Sequence, residues 1–303
     1  MASPTPRPKK RAPQPPPPPT VVDPIWLLKA LAVTLLAALI CAYASLCFLF
    51  YQGQWQIVLH PQRTSAIPSS IGGSPYEVVR FGPDETATPQ LTGWWIPAGP
   101  NAHFDQSTVL FLPGANGSLA GSIPTLRALH GLGINIFAFD YRGYGQSAKT
   151  HPSQQNMTQD AESAWIYLTA SRHIAGQRIV PYGTGVGASL AAHLAASHPS
   201  VPALILDSPQ SDLLDVALHD PRSKLVPARL LFHERFPLIG PLATLRTPRL
   251  LIFQANASGE SPEAFRTAAD PKIAIDLPVR PVALYSQAVS RFLDRYLAPT
   301  PAP

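Results

Sequence analysis

Tyr182-Gly183-Thr184-Gly185-Val186-Gly187 is the stretch on which the fold turns. Apolar residues at Arg178–Tyr182 precede it and an alanine-rich run at Val186–Ser197 follows it. That order predicts a buried strand, a sharp turn and a helix. A G-x-S-x-G sequence at such a turn lifts a nucleophilic serine above the end of a sheet. Here the outer glycines stand in place and Gly185 occupies the serine's slot. Glycine adopts the positive φ of such a turn at little cost, so the backbone shape is kept while the hydroxyl is lost.

Working outward, the chain alternates between apolar strands and amphipathic helices. Tyr76–Phe81 and Leu91–Ile96 read as early strands, and Thr108–Leu112 and Ile134–Asp140 as strands buried on both faces. Helices are expected at Ile123–Leu132 and Gln159–Leu168. After the turn come a strand at Ala203–Leu206, an irregular segment at 209–247 with two short helices, and strands at Leu250–Phe253 and Ile273–Leu277. A terminal amphipathic helix is expected at Leu284–Tyr296. The alternation implies a mainly parallel sheet with helices on both faces. No internal repeat is visible.

The 303 residues leave room for a short appendage and one domain of roughly 250 residues. Residues 1–24 are proline-rich and basic, as in the run Pro15–Pro19, and read as a disordered spacer. Residues 25–51 are almost uninterruptedly apolar, with Lys29 the only charge. Within them Ala30–Phe50 would make ~31 Å of helix, the thickness of a hydrocarbon core. The apolar run continues past the Ala42-Tyr43-Ala44 cleavage-like triplet, so a signal anchor is expected in place of a cleaved signal peptide. Arg7, Lys9, Lys10 and Arg11 precede the span, and no charge follows it until Arg63. The positive-inside rule then puts the N-terminus in the cytoplasm and residues 52–303 outside it, in the periplasm if the cell is bacterial.

The tail carries most of the net charge of +5, which argues against a nucleic-acid partner. The bilayer is the expected partner, with a lipid, peptide or protein ligand for the domain. The two cysteines, Cys41 and Cys47, both lie in the apolar span. The globular part therefore has no disulfide, zinc site or cysteine nucleophile. The glycines at 183, 185 and 187 do not continue into G-x-G-x-x-G, because position 188 is alanine. No cofactor or metal is expected.

Several motifs together carry a resemblance. They are Phe139-Asp140-Tyr141-Arg142-Gly143-Tyr144-Gly145-Gln146-Ser147 after one strand, Gly93-Trp94-Trp95-Ile96-Pro97, Leu112-Pro113-Gly114-Ala115-Asn116-Gly117, and Leu204-Ile205-Leu206-Asp207-Ser208-Pro209. With the turn at 182–187 they resemble the α/β-hydrolase fold, and within it a single-pass, membrane-anchored branch of serine hydrolases. The resemblance runs from about residue 50 to the end. It implies an oxyanion hole with backbone donors at Ala115 and Val186. It also implies a Ser–Asp–His order for the triad.

Set against that order, the triad positions are vacant. The nucleophile position is Gly185, and Ser258 stands where the acid is expected, with Glu260 two residues on. The base loop reads Pro278-Val279-Arg280-Pro281-Val282-Ala283, and no histidine follows His233. His193 and His198 lie roughly 12 and 20 Å down the helix after the turn and read as surface or packing groups. A rewired pocket would draw on Thr184, Ser208, His219 and His233. Asp140 and Arg142 read as braces beneath the site, and Asp160 as a helix support. The expected function is a membrane-anchored pseudohydrolase that binds a lipid, peptide or protein partner. The alternative is an active esterase, lipase or thioesterase with a displaced triad.

Overall fold

A computed structural model describes residues 23–64, 68–83, 87–253, 263–277 and 281–297. The proline-rich tail, apart from its last two residues, lies outside the described residues, as do Ser258, Glu260 and positions 278–280 of the base loop. The chain divides after Phe48 into two compact units. The first ends with most of α1 (Pro24–Gly53), a helix long and apolar enough to cross a membrane. It exceeds the expected span of 25–51 by one residue at its start and two at its end.

The second unit begins with the last turn of α1, followed by α2 (Trp55–Val58) and β1 (His60–Pro61). Next come β2 (Glu77–Pro83), β3 (Pro89–Ile96), β4 (Phe104–Leu112), β5 (Asn116–Gly117), α3 (Ile123–His130), β6 (Ile134–Asp140) and α4 (Gln154–Ile166). The chain continues through β7 (Ile179–Thr184), α5 (Val186–Ser197), β8 (Leu204–Asp207), α6 (Leu214–His219), α7 (Ala228–Leu231) and α8 (Ile239–Thr244). It closes with β9 (Arg249–Phe253), α9 (Glu263–Thr267), β10 (Lys272–Asp276) and α10 (Val282–Tyr296).

Eight strands form one sheet in the order β10-β9-β8-β7-β4-β6-β3-β2, and β3 alone runs against its neighbours. The central strands are buried on both faces, as their continuous apolar runs predict: every residue of β8 and β9 is buried, and all but one in β7. One core lies between the sheet and α3 and α10. There Leu126 and Leu129 meet Phe111, Tyr182, Val289 and Phe292 in a single apolar cluster. On α10 the buried residues Tyr285, Val289, Phe292 and Leu293 recur at helical spacing. The helix α5 is buried on nearly every side, which its small residues Gly187, Ala188, Ala191, Ala192 and Ala195 make possible.

Three differences from the sequence reading matter for the site. First, β4 starts at Phe104, because a register shift between Phe104 and Thr108 lets the strand continue past its polar residues. Second, 209–247 holds three short helices, α6 to α8, and a 3₁₀ turn at Pro221–Leu225. Prolines at 221, 227, 237 and 241 break it too often for longer ones. Third, the segment after α1, for which the sequence predicts no element, forms a strand. His60–Pro61 pairs in parallel with Asn116–Gly117.

The same segment is pinned again at Gln54, which is only 1% exposed. Its amide nitrogen donates to Tyr51 O at 2.8 Å and Leu231 O at 3.3 Å, and lies 2.6 Å from His233 Nδ1. Its Oε1 accepts from the His233 N–H at 2.6 Å. One buried side chain thus serves several groups of a segment about 180 residues away, which apolar packing would leave unpaired. Gln54→Leu should cost about 2–4 kcal/mol of domain stability. It should also speed hydrogen exchange of the His233 amide, as read by mass spectrometry; unchanged protection there would remove the strap from the account.

Candidate functional site

The turn after β7 has the backbone of an elbow. Gly185 sits at φ 54° and ψ −116°, and its N–H donates to Asp207 O at 3.0 Å. The three glycines are required for different reasons. A Cβ on Gly183 would lie 2.1 Å from Gly187 O, and one on Gly187 would lie 2.1 Å from Leu112 O. Both positions are closed by backbone, so no side chain fits. A Cβ on Gly185 would meet only Gly114 Cα, at 3.9 Å. That position has room for a side chain and resists one only through its positive φ, a matter of roughly 1–3 kcal/mol.

Above Gly185 lies a cavity of about 340 Å³. Thr184, Gly185 and Val186 contribute one part of its lining, and the loop residues Gly114, Ala115, Asn116 and Ser118 another. Ile57, Val58 and His60 come from the segment after α1, and Gln210, Leu213 and Val216 from the segment after β8. Both expected oxyanion residues, Ala115 and Val186, therefore line one space with Gly185, the expected nucleophile position. Val186 opens α5, so its N–H has no acceptor within the helix.

The run at 139–147 explains why the loop is held so firmly. Tyr141 OH donates to Pro113 O at 3.2 Å and Tyr144 OH to Ala115 O at 2.9 Å. Asp140 Oδ1 accepts from the Leu119 N–H at 2.7 Å. The His60 N–H donates to Ala115 O at 2.9 Å, and the Gln62 N–H to Gly117 O at 2.7 Å. Gly145 is required beside this carboxylate, because a Cβ there would stand 1.9 Å from Asp140 Oδ2. Ser147 Oγ donates to Asp140 O at 2.5 Å and accepts from the Thr92 N–H at 2.9 Å. Arg142 turns away to Asp160, to which its N–H and Nε donate at 2.8 and 2.6 Å. Burial raises both tyrosine hydroxyls, which keeps them protonated as donors.

The other expected pocket residues are placed elsewhere. Thr184 lines the cavity, but Ser208, His219 and His233 are not part of its lining. Ser208 Oγ donates to Asp207 Oδ1 at 3.3 Å. Asp207 also accepts from Tyr182 OH at 2.7 Å, and Tyr285 OH donates to Tyr182 OH at 2.7 Å, so this carboxylate serves the interior. His219 Nδ1 donates to the Asp215 carbonyl of its own helix at 2.6 Å. His233 is taken up by Gln54, by the ring of Tyr51 at 4.6 Å and by Glu234 Oε1 at 3.5 Å. The helix α5 carries His193, bonded to Ser189 O at 2.8 Å, and His198 just after its end stacks on Trp165 at 4.2 Å and meets Glu162 at 3.0 Å.

The imidazole that does line the cavity is His60, which the sequence reading passed over. Its Nδ1 donates to Asn116 Oδ1 at 2.9 Å. The triad order directs attention to the C-terminal loops, whereas His60 arrives through the pairing of β1 with β5. The only local signal was the apolar run Ile57-Val58-Leu59 just before His60-Pro61. Among the described residues no imidazole is hydrogen-bonded to a serine or threonine hydroxyl, and no cluster of His, Cys, Asp or Glu could hold a metal ion.

Two measurements follow from this geometry. Gly187→Ala should lose more than about 4 kcal/mol or fail to fold, while Gly185→Ala should lose about 1–3 kcal/mol, read by urea denaturation. Equal losses would contradict the close approach of α5 to β4. Burial lifts the Asp140 carboxyl to about 6, against lowering by the Leu119 and Gln146 N–H groups and by Arg63. A raised folded-state value means the stability it contributes is complete below the unfolded value, about 4, and is lost as pH rises through about 6. The stability advantage of wild type over Asp140→Asn should therefore be greatest near pH 4 and decline to a plateau above about 6. An advantage that grows over that interval would reverse the assignment.

Comparison with known proteins agrees with the architecture. A model of the alpha/beta hydrolase fold family matches residues 107–237. The chain is 31% identical to the Mycobacterium tuberculosis protein Rv2307c over 234 residues, spanning 74% of this chain and 76% of that one. It is 31% identical to human alpha/beta hydrolase domain-containing protein 17B over 121 residues, 40% of this chain and 39% of the relative. The chain thus spans well under half the length of that relative. Among solved structures, the Pyrococcus furiosus esterase Pf2001 superposes with a TM-score of 0.62 at 18% identity, covering 80% of this chain and 99% of that one.

Proposed function

The chain belongs to the α/β-hydrolase fold family, and from that premise we propose that it is a membrane-anchored pseudohydrolase whose cavity holds an acyl-bearing lipid without cleaving it. The observation that carries this reading is Gly185 itself. The elbow backbone is kept and its Cβ direction is open, yet no oxygen stands there to attack a carbonyl. A serine-type acyl transfer needs that oxygen and an imidazole to take its proton. The sequence has no histidine after position 233, where the family's base would come.

What remains suits binding. The Val186 N–H and the braced loop at Ala115 can receive the carbonyl oxygen of an ester or acid. Ile57, Val58, Leu213 and Val216 offer apolar surface to the attached chain. Replacing a serine by glycine enlarges the space beside that carbonyl. Anchoring by α1, with the N-terminus in the cytoplasm and the domain on the other side, is supported by the basic residues before the helix and their absence until Arg63. Peptide or protein ligands are the competing occupants.

A second reading, an active esterase, lipase or thioesterase with a displaced triad, draws on one observation: His60 and Thr184 line the same cavity. A fluorophosphonate probe separates the two. The pseudohydrolase should remain unlabelled, and lipid should co-purify with it in mild detergent and be identified by mass spectrometry. Gly185→Ser should fold and still fail to turn over a p-nitrophenyl ester, because the hydroxyl gains no base. Probe labelling at Thr184 of the wild type, or ester turnover by the variant, would replace the first reading by the second.

A further inference from the structure

We propose that residues 224–230 form a second, peripheral contact with the same bilayer, docking the domain against anionic lipid headgroups beside the point where α1 leaves the membrane. The inference rests on the anchor reading of α1 and is independent of what fills the cavity.

The surface is apolar and cationic at once. Leu225 is 62% exposed and Leu230 86%, a costly display for two leucines so close in a water-soluble surface. Lys224 and Arg229 are exposed beside them and have no ion pair among the described residues. The neighbouring Arg222 and Arg235 differ, being committed to Asp220 and Asp212. Leucines interleaved with unpaired cations match the layer in which acyl chains give way to phosphates.

The occupant is chosen by the tether. Gln54 follows the last residue of α1 directly and is hydrogen-bonded to Leu231 O and the His233 N–H. The ring of Tyr51, on the last turn of α1, lies 4.6 Å from that of His233. If Ala30–Phe50 fills the hydrocarbon core, Gln54 stands roughly 6 Å beyond its end, within the headgroup layer. Leu230 precedes the residue that Gln54 grips. Only four residues of chain from Phe50 to Gln54 therefore tether this patch to the end of the apolar span. Val216, which lines the cavity, is itself partly exposed on α6, so the docked face and the cavity mouth share one segment.

The test uses the full chain with Cys41→Ser and Cys47→Ser, reconstituted in phosphatidylcholine vesicles containing a minority of phosphatidylglycerol. A nitroxide is attached at Leu230→Cys or, as the control, at Gln177→Cys, an exposed site just before β7 and so at the far end of the parallel strands. The label at 230 should be readily relaxed by oxygen and poorly by a water-soluble nickel chelate, and the label at 177 the reverse. Adding Lys224→Gln and Arg229→Gln should raise nickel access at 230 several-fold. Nickel access at 230 equal to that at 177, in protein that resists carbonate extraction, would overturn the docking while leaving the anchor intact. Carbonate extraction of the protein would instead overturn the anchor. Shielding of 230 from both oxygen and nickel, or shielding in detergent together with a doubled mass by light scattering, would assign the face to a protein partner or a second copy and overturn the proposal.

Discussion

The first turn of α5 passes against the end of β4 too closely for any side chain, and the site depends on that approach. Gly183 and Gly187 let backbone pass backbone at distances that exclude any side chain. The glycine–glycine contact brings the N-terminus of α5 over the end of the sheet. It also sets the loop at 113–117 beside the elbow, since Leu112 and Pro113 supply the carbonyls that Gly187 abuts. Gly185 lies between two positions that sterics fix and is itself fixed by none.

Around that contact several buried polar groups are directed at the loop at 113–119. Tyr141, Tyr144 and Asp140 hold it from one side, and the strand after α1 holds it from another. Each of these side chains holds a peptide unit of the loop in place. The cost is visible at Asp140, whose burial works against its charge even with backbone donors turned toward it. A loop supported in this way keeps its shape whether or not a nucleophile stands opposite, so its support does not depend on a catalytic triad.

The sequence revealed the sheet because its central strands are continuous apolar runs, and Ile134–Asp140 and Val186–Ser197 have the same limits in the structure. It revealed the elbow because glycines at those spacings have few other uses. It revealed the brace at 139–147 as a motif, and the structure supplies the reason for each residue. The histidines were harder. Their number is small, but which of them reaches the cavity depends on pairing across long separations. His233 faces Gln54, while His60 enters beside Asn116. Neither contact has a local signature, and prolines in 209–247 obscure helical periodicity where the cavity mouth is built.

The open Cβ direction at Gly185 also bears on how this lineage can change. One substitution could restore an attacking oxygen at small structural cost, because space is waiting for it. A histidine after His233 would be a separate change, and a serine-type acyl transfer by the family's route needs both groups together. An asymmetry follows from the pseudohydrolase reading proposed above: exchanging serine for glycine at residue 185 relieves strain, whereas the reverse exchange restores strain with no immediate benefit. On that reading, such a scaffold behaves as an evolutionary ratchet, free to refine what it binds and obstructed from returning to cleavage.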